Sequence, residues 1–460
     1  MELTREWVAA VTGGRMVGPP GAGRDAEEPI GEGISFDSRL IEPGQVFLAL
    51  RDLRDGHDFV ADAAQRGAAF SIVDHPVVGQ PTVEVSDTHR ALTMMATAAR
   101  QGIDAPVVGI TGSVGKTSTK DLTAAALRSR FRTHAAPASF NNEIGVPVTM
   151  LGAPADVEVL VLELGARFAG NIADLCALAQ PMIGVITNIG LAHAEHLGGP
   201  EGVAAVKGEL LDSLPSHGLA VIGTDTASAG QRHRSAATVM TVGSTPDADV
   251  RVSGIEVDAD LRPQFRLETP WGSGQIALTV RGAHQVINAA QAATVALHLG
   301  IPMPAMIDAL RHAASTGWRM QLTVTGDGVH VINDAYNASP VATLAAIEAL
   351  AALAVRGRRI AVLGEMRELG ECSAAEHARV GDAIARRHID VLVAVGAETE
   401  ALASAAEDGS VVVYRALDVE AARSLVLELA TPGDAVLVKA SRAVGLEVVA
   451  LALLGVEVPA

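Results

Sequence analysis

Cysteines and aromatic residues are scarce in this sequence, and each scarcity excludes a class of protein. The two cysteines, Cys176 and Cys372, lie far apart and neither belongs to a metal-ligand pair, so we expect no disulfide framework and a reducing, cytoplasmic compartment. Aromatic residues make up 3% of the chain while 49% of it is hydrophobic. These proportions predict a chain rich in Ala, Val, Leu and Gly that buries several cores.

Positive charge and long apolar runs are also in short supply. The formal net charge of −18 argues against binding to nucleic acid, whose phosphates the chain would repel. The apolar stretch at 443–456 is too short for a membrane span and is interrupted by Glu447. Residues 1–14 carry charge in their middle and lack a long apolar core, so we expect no signal peptide.

The order of strand-like and helix-like segments predicts an α/β protein of three domains. Residues 1–104 are expected to form a small α/β domain with a loop at 18–23, a strand at 46–50 and a helix at 59–69. Residues 105–314 alternate apolar strands (107–111, 157–164, 183–189 and 219–223) with helices, one of them at 200–214. This alternation is typical of a parallel sheet covered by helices.

The later segments complete the central domain and begin a third one. Residues 250–281 have a period of two and a turn at 269–274, which predicts an antiparallel hairpin, and helices at 283–299 and 303–313 follow it. Residues 315–460 are predicted to form a smaller Rossmann-like α/β domain. Its strands are expected at 329–334, 359–365, 390–396, 411–416 and 434–440.

The strongest single motif is TGSVGKTST at 111–119, which follows a strand and opens a helix. The backbone N–H groups of a Gly-rich loop can wrap a phosphate, and a helix N-terminus attracts negative charge. We expect Lys116 to reach the β- and γ-phosphates and Thr117 to bind Mg²⁺. The predicted ATP-binding loop comprises Gly112, Ser113, Gly115, Lys116, Thr117 and Ser118. Such a loop alone leaves ATPases, kinases, GTPases and ligases open.

Further blocks extend the pattern over nearly the whole chain, and together they resemble the Mur ligases. The most specific are SFNNEIGVP (139–147), LGEMRELG (363–370) and NDAYNASP (333–340), which are similar to the type of Mur ligase that adds D-alanyl-D-alanine. TNIGLAHAEHLG (187–198), AVKGELL (205–211), GAHQVINAAQAA (282–293) and WRMQL (318–322) fall between them in order. The resemblance implies ATP-dependent ligation of D-alanyl-D-alanine to UDP-N-acetylmuramoyl-tripeptide, with ATP and Mg²⁺ as cofactors.

The resemblance also implies roles for individual residues at the reaction centre. Glu163, at the end of an apolar strand, would bind Mg²⁺ together with Thr117, and His193 would also be a metal ligand. Lys207 would bind a second Mg²⁺ after carbamylation by CO₂, whereas the residues alone favour a solvated helix lysine. His284 and Asn288 would contact adenine, Arg319 the ATP phosphates and Asp334 the ribose. These assignments make Lys116, Glu163, His193 and Lys207 the expected catalytic residues.

The remaining implied roles concern the other two substrates. The N-terminal Asp37, Ser38 and Arg39 resemble a uridine-diphosphate contact. The third domain is expected to close over the ATP. The expected substrate-binding residues elsewhere are Asn141, Asn142, Glu143, Tyr336, Asn337, Lys439, Ser441 and Arg442, the last three against the carboxylate of the dipeptide. For these three, a solvated strand end is an equally good interpretation. We expect a monomer.

Several positions depart from the pattern of the family and keep alternatives open. Phe36 stands where Thr is common, Ala440 where Gly is common, and 223–230 lacks a usual Asn-Ala-Asp-Asp run. A Mur-type ligase with a different amine or acyl substrate is therefore one alternative. A folylpolyglutamate-type ligase would lack this N-terminal domain. A non-catalytic ATP-binding regulator could have lost Glu163, His193 or Lys207, all of which are present.

Overall fold

The computed structural model describes residues 2–18, 30–78, 80–190, 194–225, 228, 230–314, 316–409 and 411–456. Its strands form three large, mainly parallel sheets that follow one another along the chain, so the predicted α/β class is confirmed. A two-stranded ribbon pairs Glu2–Thr4 with Ile30–Glu32. Among the helices that can be described, none combines the length and apolar character needed to cross a membrane.

The N-terminal sheet has five short strands. In spatial order they are Arg15–Val17, Thr82–Glu84, Ser71–Val73, Val46–Leu48 and Ile34–Ser35. Its helices are Arg5–Thr12, Val60–Gln65 and Thr88–Gln101. The helix predicted at 59–69 is shorter than expected, because Gly56–Phe59 forms a 3₁₀ turn and Gly67 adopts a φ of +93° just after the helix. Most of the loop predicted at 18–23 lies outside the described residues.

The central sheet has nine strands. Their spatial order is Gly272–Ala277, Pro263–Thr269, Val250–Val257, Thr238–Gly243, Leu219–Gly223, Ile183–Ile186, Val107–Thr111, Val159–Glu163 and Thr133–Ala135. The first three pair antiparallel, which confirms the hairpin predicted around 269–274, and the rest pair in parallel. The helices are Lys116–Arg128, Gly145–Leu151, Asn171–Ala179, Ala194–Leu197, Gly199–Asp212, Gln285–His298 and Met303–Arg311.

The C-terminal sheet has six strands. Their spatial order is Gln321–Val324, His330–Asn333, Ala435–Lys439, Arg359–Gly364, Val391–Val395 and Val412–Ala416. Only the first pair is antiparallel. The helices are Pro340–Ala352, Ser373–Arg386, Glu400–Glu407, Val419–Leu429 and Glu447–Leu453.

Packing on both faces of the central sheet fixes the position of the phosphate loop. Strand Val107–Thr111 is buried along its whole length and lies between Ile183–Ile186 and Val159–Glu163. Helices Lys116–Arg128 and Gln285–His298 pack on one face, and Asn171–Ala179 and Gly199–Asp212 on the other. Since these strands are parallel, the residues that follow them meet at one edge of the sheet, where α/β proteins bind their ligands.

Candidate active site

A cavity of about 1420 Å³ opens at this edge, between the central and C-terminal sheets. Its walls contain most of the residues that the sequence predicted for the site. The predicted residues lining it are Ser113, Gly115, Lys116, Thr117, Ser118, Asn141, Asn142, Glu143, Glu163, His284, Asn288, Arg319, Asp334, Tyr336, Asn337, Lys439, Ser441 and Arg442. His193 falls outside the described residues, so its predicted metal-binding role stays a prediction.

The phosphate loop has two glycines that no larger residue could replace without strain. Gly112 and Gly115 have φ values of +145° and +84°. A Cβ atom added at Gly112 would lie 2.0 Å from the Thr187 hydroxyl oxygen, and one at Gly115 would lie 2.7 Å from Asn288 Oδ1. Lys116 Nζ donates to the carbonyl of Gly112 at 2.8 Å, so its side chain folds back over the loop. The loop is therefore shaped as a phosphate cradle.

Thr117 and Glu163 form the centre of the site. The Thr117 hydroxyl donates to Glu163 Oε2 at 2.8 Å, and both side chains are buried. Asn141 Nδ2 donates to the other carboxylate oxygen, Oε1, at 2.8 Å. Ser139 Oγ lies 2.9 Å from Thr117 Oγ1. Hydroxyl and carboxylate oxygens therefore converge beside the phosphate loop, and these are the ligands that Mg²⁺ prefers.

Arg319 brings the C-terminal part of the chain into contact with this centre. Its Nη2 donates to Thr117 Oγ1 at 2.8 Å and to Ser139 Oγ at 3.0 Å. The guanidinium lies over the ring of Tyr336, 4.2 Å from its centroid. Its Nε is buried and has no hydrogen-bond partner among the described residues. A fixed guanidinium next to a phosphate loop can neutralise charge on a transferring phosphoryl group.

Lys207 is fully buried, so the solvated helix lysine favoured by the residues alone is wrong. Its Nζ has no hydrogen-bond partner among the described residues. Desolvation, with a smaller contribution from the nearby positive charge of Lys116, lowers the pKa of Lys207 to about 7. Desolvation also lowers the pKa of Lys116, while Glu163 acts in the opposite direction. A buried amine with a pKa near 7 is largely uncharged at mildly alkaline pH.

Asn288 meets the phosphate loop near the start of helix Gln285–His298, and His284 lines the same cavity. His284 immediately precedes the helix, and desolvation lowers its pKa. Asn288 Nδ2 donates to Gln285 Oε1 at 2.9 Å, and its amide packs against Gly115. The structure thus places Asn288 beside the loop and His284 in the wall of the same cavity, and their contact with adenine stays a prediction.

Asp334 and the buried Lys439 form an ion pair in the wall of the cavity. Lys439 Nζ lies 2.6 Å from Asp334 Oδ2 and also donates to the carbonyl of Asn337 at 2.8 Å. Lys439 is 2% exposed, so the solvated strand end is the wrong interpretation for this residue. The Lys439 ammonium is thus paired with Asp334 in this structure, and its contact with the carboxylate of a dipeptide stays a prediction.

Ser441 and Arg442 lie in the same wall and are also engaged. The Ser441 hydroxyl oxygen accepts from the N–H of Arg367 at 2.9 Å. Arg442 Nη1 lies 2.5 Å from Glu447 Oε1, and its guanidinium stands over the Trp318 ring at 4.9 Å. Arg442 is the only one of the three predicted dipeptide contacts whose side chain carries a positive charge exposed to the solvent.

The predicted N-terminal residues Asp37, Ser38 and Arg39 do not line the cavity. Hydrogen bonds from the Arg39 side chain hold the pKa of Asp37 below its ordinary value. The preceding Phe36 packs on Phe140, with ring centroids 5.8 Å apart. Phe140 lies within the SFNNEIGVP block, so this block joins the N-terminal core to the Thr117–Glu163 centre.

Sequence analysis missed the roles of Ser139, Gln285 and Lys120 in building the site. Ser139 opens a block that was recognised, yet a serine in a loop gives no signal of its own. Lys120 lies one turn after Lys116 on the same helix, and its Nζ donates to the carbonyls of Ala136 and Ala138 at 2.6 and 2.7 Å. The spacing of four residues from Lys116 was the only local signal.

Comparison with known families identifies the class of protein that this site defines. Residues 110–296 match the Mur ligase middle domain, and residues 318–442 match the Mur ligase, glutamate ligase domain. The chain therefore belongs to the Mur ligase family. One similar protein is the UDP-N-acetylmuramoyl-tripeptide--D-alanyl-D-alanine ligase of Mycobacterium tuberculosis, 39% identical over 98% of this chain and 98% of that protein.

Solved structures are similar over nearly the same length. The crystal structure of MurF from Acinetobacter baumannii has a TM-score of 0.83 and 29% identity, covering 99% of each chain. MurF ligase from Thermotoga maritima, solved in complex with ADP, has a TM-score of 0.76 and 28% identity over 92% of this chain and 97% of that one. All three sheets of the present chain thus have counterparts in these proteins.

Proposed function

We infer that this chain is an ATP-dependent ligase that joins D-alanyl-D-alanine to UDP-N-acetylmuramoyl-tripeptide and releases ADP and phosphate. The product is UDP-N-acetylmuramoyl-pentapeptide, a precursor of peptidoglycan. The observation that carries this inference is the contact of Arg319, from the C-terminal unit, with Thr117 at the phosphate loop and with Ser139 in the SFNNEIGVP block. That contact joins residues of three family blocks, WRMQL, TGSVGKTST and the more specific SFNNEIGVP, at one phosphate-binding centre. Full-length similarity to ligases of this name supports the choice of substrates.

The reaction needs activation of a carboxylate. A carboxylate oxygen of the tripeptide attacks the γ-phosphorus of ATP, and ADP leaves. The free amine of the dipeptide then attacks the acyl carbon, loses a proton, and phosphate departs with the original carboxylate oxygen. Lys116 and Arg319 would neutralise the phosphates, since phosphoryl transfer depends mainly on positioning and charge stabilisation. Closure of the C-terminal part of the chain over this cavity would protect the acyl phosphate from water.

The residues at the centre also fit Mg²⁺. Thr117 and Glu163, only 2.8 Å apart, offer oxygen ligands, and we propose that His193 and Lys207 contribute to a second ion. Lys207 fits this proposal because its buried Nζ has no partner among the described residues. As a free amine it can add to CO₂ and lose a proton, which gives an anionic carbamate. Bound Mg²⁺ would neutralise the charge of ATP and of the developing acyl phosphate.

We further propose a division of labour among three domains, 1–104, 105–314 and 315–460. The first would bind the UDP-precursor through Asp37, Ser38 and Arg39, the second ATP, and the third the amine. Closure of the third over the second fits the contact between Arg319 and Thr117. Two cysteines that form no disulfide fit a cytoplasmic enzyme, and we propose that it works as a monomer.

The test is a complete ligation assay with single omissions. The protein is incubated with ATP, Mg²⁺, UDP-N-acetylmuramoyl-tripeptide and D-alanyl-D-alanine, and phosphate release and product mass are measured. We expect phosphate release only when both acceptor and dipeptide are present, with one pentapeptide product per phosphate. Glu163→Gln, which keeps the shape of the side chain, should abolish release. Release without the dipeptide, or with L-alanyl-L-alanine in its place, would contradict the substrate assignment.

A further inference from the structure

Residues 136–139 form a short loop that sets the position of Ser139. The loop leaves the edge strand Thr133–Ala135 and runs past the helix that begins at Lys116. Ser139 Oγ lies 2.9 Å from the Thr117 hydroxyl oxygen and accepts from Arg319 at 3.0 Å. The position of this one hydroxyl therefore depends on how the backbone just before it is held.

The loop backbone is not held by regular secondary structure. Ala138 has a φ of +47°, a conformation that residues with a Cβ atom adopt at a cost. The Ala136 N–H donates to the carbonyl of Val161 at 3.2 Å, which ties the loop to the sheet only at its first residue. Within the loop, a hydrogen bond from the Phe140 N–H to the carbonyl of Pro137 at 3.3 Å closes the turn at Ala138, and a side chain from the neighbouring helix adds further support.

The Lys120 side chain supplies this support. Its Nζ donates to the carbonyl of Ala136 at 2.6 Å and to that of Ala138 at 2.7 Å. Lys120 is 2% exposed, and Asp121 Oδ1, 3.1 Å away, compensates its buried charge. Charge-assisted hydrogen bonds to carbonyls in a dry environment are stronger than neutral ones. Both bonds end on the backbone directly before Ser139.

Asp121 has a second partner, which ties the same support to the C-terminal unit. Its Oδ2 accepts from the N–H and the hydroxyl of Thr316 at 2.9 and 2.7 Å. Thr316 lies three residues before Arg319 in the chain. Lys120 and Asp121, which are adjacent in one helix, thus hold two segments in place. One is the loop that carries Ser139, and the other leads to Arg319, the hydrogen-bond donor of Ser139.

We propose that Lys120 is a positioning residue of the ligase reaction, which holds the Ala138 carbonyl so that the Ser139 hydroxyl stands between Thr117 and Arg319. This proposal rests on the ligase function proposed above. Lys120 acts through Ser139 and does not itself face the cavity. Loss of Lys120 would leave the carbonyl of Ala136 without this donor in a buried place and that of Ala138 without it in a partly exposed one, and the strained turn would relax away from Thr117.

A double-mutant cycle separates this role from a merely structural one. Lys120→Met, Ser139→Ala and the double variant are compared with the unchanged protein at saturating ATP and UDP-precursor. If Lys120 acts through Ser139, each single variant has a kcat about tenfold below that of the unchanged protein. The kcat of the double variant is then no more than about twofold below that of the less active single variant. Independent effects would multiply to about a hundredfold loss, which would overturn the proposal.

A matched control and a second readout complete the test. Leu127→Ala lies on the same helix, two turns beyond Lys120 in the hydrophobic core, so it should lower the melting temperature without changing kcat or the Mg²⁺ concentration for half-maximal rate. Lys120→Met should raise that concentration several-fold. If Lys120→Met does not fold, Lys120→Gln, which keeps an N–H donor, takes its place in the cycle.

The unchanged protein and the three variants of the cycle are also compared by their dissociation constants for Mg·ATP, measured without turnover. An unchanged protein that binds Mg·ATP but does not ligate would refute the proposed function, whereas non-additive changes in the dissociation constant would still support Lys120. Ligation by the unchanged protein together with additive effects on both readouts would refute the role of Lys120 alone.

Discussion

Replacing Lys207 by methionine should make the protein more stable at neutral pH, by an amount that depends on pH. Lys207 is fully buried, its Nζ has no hydrogen-bond partner among the described residues, and its pKa is lowered to about 7. A lysine in an unfolded chain has a pKa of about 10.4, so the unfolded state binds more protons between these two values. Stability must therefore rise with pH across that window and is penalised most below pH 7.

The size of this penalty follows from the difference in pKa. At about 1.4 kcal/mol per pKa unit, the lysine costs roughly 4 kcal/mol at pH 7 and roughly 2 kcal/mol at pH 9. Methionine has a similar length and no charge, so Lys207→Met removes this cost while filling the same space. The variant should exceed the unchanged protein in stability by that margin, provided that no carbamate has formed.

Unfolding by guanidinium in CO₂-free buffer between pH 6.5 and 9 measures the difference in free energy of unfolding between Lys207→Met and the unchanged protein. Guanidinium is used because urea contains cyanate, which modifies lysines. Trp7, Trp271 and Trp318 lie in the N-terminal, central and C-terminal parts of the chain, so a Trp7→Phe, Trp318→Phe background reports on the central sheet alone. Added bicarbonate should stabilise the unchanged protein and leave Lys207→Met unaffected, because only the native amine gains a carbamate. A margin that does not change with pH, or a less stable Lys207→Met, would refute the reasoning.

Three other perturbations test separate parts of the site. Gly115→Ala should raise the KM for ATP at least tenfold, because its Cβ would lie 2.7 Å from Asn288 Oδ1; an unchanged KM would contradict the cradle geometry. Arg319→Lys should lower kcat about a hundredfold at an unchanged melting temperature, since an ammonium cannot both bridge two hydroxyls and stack on Tyr336; kinetics equal to the unchanged protein would refute this role. Burial raises the pKa of Cys176 to about 12, so iodoacetamide at pH 8 should label only Cys372 in the native protein. Mass spectrometry of the intact protein measures the labelling, and a labelled Cys176 would contradict its burial.

The parts of the fold that could be predicted are those with local signals. Strand Val107–Thr111 was predicted with its observed bounds, and the next helix was expected to open near Lys116, where it begins, because an apolar run, a Gly-rich turn and a helix follow directly in sequence. Glu163 was expected at the end of its strand, and it is the last strand residue. Strand Thr133–Ala135 was missed, since a three-residue edge strand containing a threonine and a histidine has no hydrophobic period.

The chemistry of the site was less predictable, because it depends on contacts between distant residues. The ion pair of Lys439 with Asp334 joins residues 105 positions apart, and the bond from Arg319 to Thr117 spans 202. Neither separation leaves a trace in a local pattern. The burial of Lys207 likewise follows from the packing of its helix against the sheet, and the residues next to it in sequence had favoured a solvated side chain.

The acyl phosphate is the central chemical claim, and an oxygen-transfer experiment tests it most directly. UDP-N-acetylmuramoyl-tripeptide is prepared with ¹⁸O in the carboxylate that receives the dipeptide, and the ligation is run in ordinary water. If that carboxylate attacks ATP, one of its two labelled oxygens must appear in the released phosphate, with the other retained in the new amide. Phosphate that carries no label, formed together with pentapeptide, would contradict the account.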